Sequence, residues 1–175
     1  MDDLARRLRD AGSALLGLRD ALVAGEPWPL SAAYGTEPEA DWGPREVLAH
    51  VNEMLPYWTE QFEAILAAPS GAAVPFGRVA SDAVRVGRIG RDRDLPSGEL
   101  LDGITGGLDR ASAFLAGLSP VEGERLGLHS TLGEITVRAA AERFLVTHVE
   151  DHVTQLRSIL AARPTGRRPR PGGTS

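Results

Sequence analysis

The stretch from Thr131 to Arg163 constrains the fold more than any other part of this chain. At 3.6 residues per turn, Ile135, Ala141, Phe144, Leu145, Leu156 and Ile159 fall on one stripe. His148 and His152 fall on it too. An apolar stripe faces a core, so the spacing predicts a helix that carries both imidazoles inward. Residues four apart sit one turn apart, and two such imidazoles can grip one metal ion.

The other helices follow from the same periodicity. Leu4, Leu8, Ala11, Leu15, Leu18 and Leu22 predict a first helix over 2–24, ended by Gly25 and Pro27. A loop rich in Pro, Gly and acidic residues follows over 25–43 and carries Trp28, Tyr34 and Trp42. The second helix starts at Pro44, with Gly43 as its N-cap and Glu46 in the first turn, where the helix dipole favours a carboxylate. Its stripe is Val47, Val51, Met54, Trp58, Phe62 and Ile65, with His50 on the same face. Pro56 predicts a bend past His50. Residues 69–95 form a long connection with a short helix near Arg78–Val86; the arginines around it (Arg85, Arg88, Arg91, Arg93) read as a solvated surface or a site for an anion. The third helix runs from Pro96 to Leu118 on Leu101, Ile104, Leu108, Ala111, Leu115 and Leu118. Thr131-Leu-Gly-Glu134 has the form of a capping box and predicts the start of the fourth helix, which Pro164 ends. No strand-like alternation is seen.

Four amphipathic helices without strands predict an all-α four-helix bundle over 1–162. The tail over 163–175, with four arginines and nothing to bury, is expected to be a disordered basic segment. The histidines add a topological constraint. His50 lies near the start of the second helix and the His148–His152 pair nearer the end of the fourth, so the three share a level only if those helices are antiparallel. That requires a long crossover between helices two and three, an up-down-down-up order. The connection must span about 35 Å, and about 26 residues suffice.

Composition narrows the function classes. A chain of 175 residues is long enough for one domain with a sizeable core. There is no cysteine, which excludes thiolate metal sites and cysteine nucleophiles. A formal charge of −5 argues against nucleic acid as a partner. No apolar run is long enough for a membrane span, and no signal pattern opens the chain, so a cytoplasmic location is expected.

Trp42-Gly-Pro-Arg-Glu-Val-Leu-Ala-His50-Val, followed about a hundred residues on by His148-xxx-His152-xx-Gln155-Leu, resembles the DinB/YfiT-like family. That superfamily includes the mycothiol-dependent maleylpyruvate isomerases. The resemblance spans about residues 4–160. It implies a four-helix bundle with a crossover between helices two and three, and a divalent metal, nickel or zinc, held by His50, His148 and His152. It also implies a thiol-dependent transferase or isomerase using a low-molecular-weight thiol. The isomerase branch typically carries Glu where this chain has His148.

Three neutral imidazoles suit Zn, Ni, Fe or Cu and leave a coordination position for a water or an external thiol. The bland alternative is a set of core histidines bonded to carbonyls or waters. Glu53, Asp151 and Gln155 are candidates to support the ligands, and Trp42 to line the mouth of the site; Glu53 and Asp151 read equally well as solvated surface charges. His129 is expected in a loop or on the surface. Two functions remain open. One is a metal-dependent enzyme transferring a small thiol to an electrophilic small-molecule substrate. The other is a non-catalytic, stress-related bundle that forms a homodimer and binds a metal or small ligand.

Overall fold

Residues 2–32, 39–69 and 71–163 are described by the structure, a computed structural model. Tyr34 and the basic segment after Arg163 lie outside the described residues. The chain is mainly helical, with a small three-stranded sheet. No helix among the described residues is long and apolar enough to cross a membrane.

The first apolar seam forms two helices rather than one. Helix α1 spans Asp2–Leu16 and α2 spans Arg19–Ala24. The division falls at Gly17, whose lack of a side chain weakens a helix interior. A single 3-10 turn, Glu39–Asp41, then leads into α3 (Pro44–Ala67), which runs through Pro56 as one helix. Helix α4 covers Ala83–Asp92, several residues later than the spacing predicts. It is started by Asp82, whose carboxylate accepts from the Arg85 N–H at 2.9 Å. Helix α5 spans Ser97–Gly117, and α6 is a single turn, Pro120–Gly123.

The sheet is the main departure from the sequence reading. Strands β1 (Val74–Phe76), β2 (Leu126–His129) and β3 (Gly133–Thr136) are ordered β1-β2-β3; β1 pairs with β2 parallel, and β2 with β3 antiparallel. These strands escape a hydropathy pattern because their faces are inverted. In β2, Leu126 and Leu128 point outward while Gly127 and His129 point inward. A methyl group at Gly127 would lie 2.6 Å from Ile65 Cδ1 and 2.7 Å from Phe76 Cδ1, so the buried face has room only for glycine.

The expected capping box at Thr131–Glu134 does not form. Gly133 has φ +71°, outside the right-handed helical region, and it opens β3. The cap is Thr136, whose hydroxyl accepts from Ala139 N–H at 3.1 Å and starts α7 (Val137–Ala141). A π-helical turn, Glu142–Thr147, joins α7 to α8 (His148–Ala162). Arg7 of α1 braces that turn, donating to Glu142 at 2.6 Å and to both oxygens of Glu150 at 3.0 and 2.8 Å.

Helix α1 packs on α5 and α8, and α3 packs on α5, α4 and α8. Along α3 and α5 the contacts advance together: Asn52 faces Gly103, Leu55 faces Gly107, and Phe62 stacks on Phe114. Along α3 and the π turn–α8 segment they run oppositely, with Trp58 on Phe144 and His50 on His148 and His152. The core between them is formed by Leu48, Met54, Leu55, Phe62, Leu101, Leu145 and Leu156, all inaccessible to solvent. These packed faces hold α3 and α8 in fixed register, and that register sets the site.

Candidate metal centre

Four side chains converge where α3 and α8 face each other. His50 comes from the second turn of α3, His148 from the first residue of α8, His152 one turn later, and Glu39 from the 3-10 turn ahead of α3. One donor atom from each lies within 4.8 Å of every other. His50 Nε2 is 3.4 Å from His148 Nε2. His148 Nε2 is 2.9 Å from Glu39 Oε2, and His152 Nε2 is 3.7 Å from the same oxygen. His50 Nε2 is 3.6 Å from Glu39 Oε1. His50 and His152 are buried; His148 is partly open to solvent.

Gln155 fixes the protonation of His152. Its amide NH2 donates to the backbone carbonyls of Glu39, at 2.6 Å, and Trp42, at 3.3 Å. Carbonyls only accept, so the amide oxygen must face His152 Nδ1, 3.0 Å away. That oxygen in turn needs a donor, which places the imidazole proton on Nδ1. The lone pair is left on Nε2, aimed at the cluster. His152 Nε2 is buried and has no hydrogen-bond partner among the described residues. An unmatched buried acceptor costs about 1–3 kcal/mol, and a cation among these four donors would satisfy it. Three imidazole nitrogens and one carboxylate are a donor set that suits zinc or nickel. The residues present therefore fit a divalent ion.

The local electrostatics agree. Burial holds His152 down to about 4, with the neighbouring His148 adding repulsion. Burial likewise pushes His50 well below its ordinary value, and His148 and His152 add to it. Both imidazoles are thus neutral at pH 7, the form that binds metal. Burial pushes the Glu39 carboxyl up, but the hydrogen bond with His148 and the neighbouring Arg85 guanidinium help outweigh it, leaving Glu39 below the ordinary carboxylate value.

The supporting shell differs from the sequence reading in several places. Glu53, read either as support for a ligand or as a solvated charge, is not solvated. It is buried, 4.0 Å from His50 Nδ1, and is forked by Arg78, with Nη1 2.7 Å from Oε1. Arg85 is not part of a solvated run either; it is buried, donates to Ala80 O at 2.8 Å and pairs with Glu39. Asp151 is exposed on the outer face of α8 and does not join the site. Trp42 is buried, with its ring edge-on to His50 at 5.4 Å between centroids. His129, expected at the surface, is buried on β2 and stacks on Phe144 at 5.0 Å. The sheet turns it inward, whereas the reading of 131–147 as continuous helix placed it far away.

No protein-family model, curated protein or solved structure matches this chain. What the chain does is read from the chemistry of the site itself. Glu39 is the ligand candidate that sequence reasoning missed. Along the sequence it lies between two other acidic residues, Glu37 and Asp41, and no periodicity singles it out.

Replacing Gln155 with leucine is expected to weaken zinc binding by about 10–100-fold, because the imidazole loses the partner that sets its tautomer. Competition with a chromogenic chelator measures this; unchanged affinity would show that Gln155 does not orient His152.

Proposed function

We propose that this chain is a divalent-metal-dependent enzyme of the DinB-like kind, a transferase acting on a low-molecular-weight thiol. The observation that carries the proposal is the buried lone pair of His152 Nε2, set by Gln155 and gathered with His50, His148 and Glu39 within 4.8 Å. Zinc or nickel is the ion these donors favour. A divalent ion held there would lower the pKa of a thiol or water brought to an open coordination position.

The remaining work falls to the chain's own side chains. His50 and His152 hold the buried side of the centre, and His148, partly open, faces the approach. Glu39 Oε2, at hydrogen-bond distance from His148, is placed to take the proton that a thiol sheds. Arg85 holds the Glu39 carboxylate in position. Trp58 and Phe144, stacked at 4.3 Å, form an apolar wall that keeps water from the reacting group.

The proposal includes the architecture: a four-helix bundle of α1, α3, α5 and α8, with the crossover between α3 and α5. The contacts that advance together along α3 and α5, and oppositely along α3 and α8, support it.

One observation favours a second reading, a non-catalytic metal-binding protein. With Glu39 as a fourth protein ligand the set is complete for tetrahedral zinc, as in structural sites. Elemental analysis of the purified protein, followed by thiol-transfer assays on a panel of electrophiles, separates the two. Turnover abolished by a chelator and restored by zinc or nickel supports the enzyme. Stoichiometric metal without turnover on any pair supports the binder, and absence of bound metal after reloading rejects both.

A further inference from the structure

A cavity of about 160 Å³ opens beside the imidazoles. Trp58 and Phe144 wall one part of it, and Arg78 and Arg85 another. Both guanidinium groups are nearly buried. Their charges are matched in pairs: Arg78 with Glu53, and Arg85 with Glu39. Among the described residues the charges at the cavity therefore balance while the imidazoles are neutral. A divalent ion adds two positive charges here and brings no new carboxylate with it. Unmatched charge in a buried site is unfavourable, so ion binding calls for an anion beside it.

Arg78 is the group built to receive that anion. Its guanidinium lies over the Tyr57 ring, 3.6 Å from the centroid, which fixes its plane. Glu53 engages two of its five N–H donors. A planar fork of this kind matches a carboxylate. The volume falls short of the roughly 300 Å³ at which drug-sized pockets begin, which limits the guest to a few heavy atoms. The aromatic wall gives it an apolar side.

We propose that this cavity binds a small organic anion, with a carboxylate seated on Arg78, and that it does so together with the metal ion. The inference rests on the metal-site reading above. It names the chemical class of the guest, and it makes ion and guest binding reciprocal: each must tighten the other by the same factor.

Calorimetry with succinate as the probe tests this, on zinc-loaded and on chelator-treated full-length protein. Succinamate, which exchanges one carboxylate for an amide, and inorganic phosphate serve as comparisons. Succinate is expected to bind the loaded protein about tenfold or more tighter than the chelator-treated protein, and tighter by a similar factor than either comparison. It should also raise zinc affinity by the same factor, after subtraction of zinc–succinate complexation measured without protein. Arg78→Lys keeps the charge on Glu53 but loses the fork; it should weaken succinate binding by about fivefold or more while leaving zinc affinity within about twofold. The charge-neutral pair Arg78→Met with Glu53→Gln, which strands no buried carboxylate, should also abolish the advantage of succinate over succinamate. Equal binding with and without zinc, equal binding of succinate and succinamate, phosphate bound as tightly as succinate, or full succinate affinity in both variants each overturns the inference. Zinc taken up without coupling to succinate sinks this inference alone, whereas no zinc uptake sinks the metal-site reading and this inference with it.

Discussion

Alanine at position 152 is expected to lower zinc or nickel affinity by more than about 100-fold. Loss of a partner to a ligand already costs 10–100-fold in metal sites, and loss of the ligand itself must exceed that. The effect is large because His152 is the imidazole whose lone pair is committed to the cluster. Its Nδ1 proton is spent on Gln155, and its Nε2 has no hydrogen-bond partner among the described residues. His50 and His148 remain in the variant, but two imidazoles and a carboxylate that also pairs with Arg85 make a poorer cage. Competition titration against a chelator reads the affinity, and far-ultraviolet circular dichroism shows whether the helices persist. His129→Phe is the matching control. That histidine is also buried, but it stacks on Phe144 outside the donor cluster, so its replacement should leave metal affinity unchanged. Retention of affinity within about tenfold in His152→Ala would remove this residue from the coordination set.

Acidification is expected to destabilise the metal-free protein well before its carboxylates titrate. Burial, and then the neighbouring His148, lower His152 to about 4 in the folded chain, against about 6.5 when unfolded. Between those values the unfolded chain binds the proton and the folded chain does not. Stability is therefore full above about pH 6.5 and is lost as pH falls towards 4. His152 alone accounts for about 3 kcal/mol across that window. His50, lowered mainly by its burial, acts in the same direction. For a chain of this length, 3 kcal/mol corresponds to a fall of about 6–12 °C in Tm. Thermal melts in the presence of a chelator at pH 7, 5.5 and 4 measure it. Saturating zinc should raise the melting temperature at pH 7, since an ion that binds only the folded chain stabilises it. In His152→Asn the dependence on pH should flatten. A metal-free protein equally stable at pH 7 and 4 would mean that these imidazoles are not buried as described.

The helices were legible because each carries its apolar residues over many turns. The seams through Leu4–Leu15, Val47–Ile65 and Leu101–Leu115 are long enough that no local exception hides them. The strands were hidden for a physical reason. They are three or four residues long, and β2 buries a glycine and a histidine while exposing two leucines. The capping-box pattern at Thr131–Glu134 misled because Gly133 takes a left-handed backbone conformation that ends helical options there.

The site was legible in part. The three histidines share apolar faces with core residues, and that pattern was visible. Glu39 was not, since a loop carboxylate has no periodicity to betray it. Arg78 was missed, and Glu53 and Arg85 were visible only with a solvated alternative left open, for another reason. Charged residues on helices and connections are usually solvated, and only pairing allows these to be buried. The sequence shows the charges but not which ones meet.

The π turn ahead of His148 separates two jobs that an ordinary helix would bind together. In a regular helix Phe144, His148 and His152, four apart, would share one ridge, and moving one would move all. The wider turn over Glu142–Thr147 ends where the ligands begin, with Phe144 inside it. Changes that tighten or widen that turn would reshape the guest's apolar wall while the two imidazoles kept their place on α8. Related chains could in this way alter what they admit without rebuilding the ion's cage.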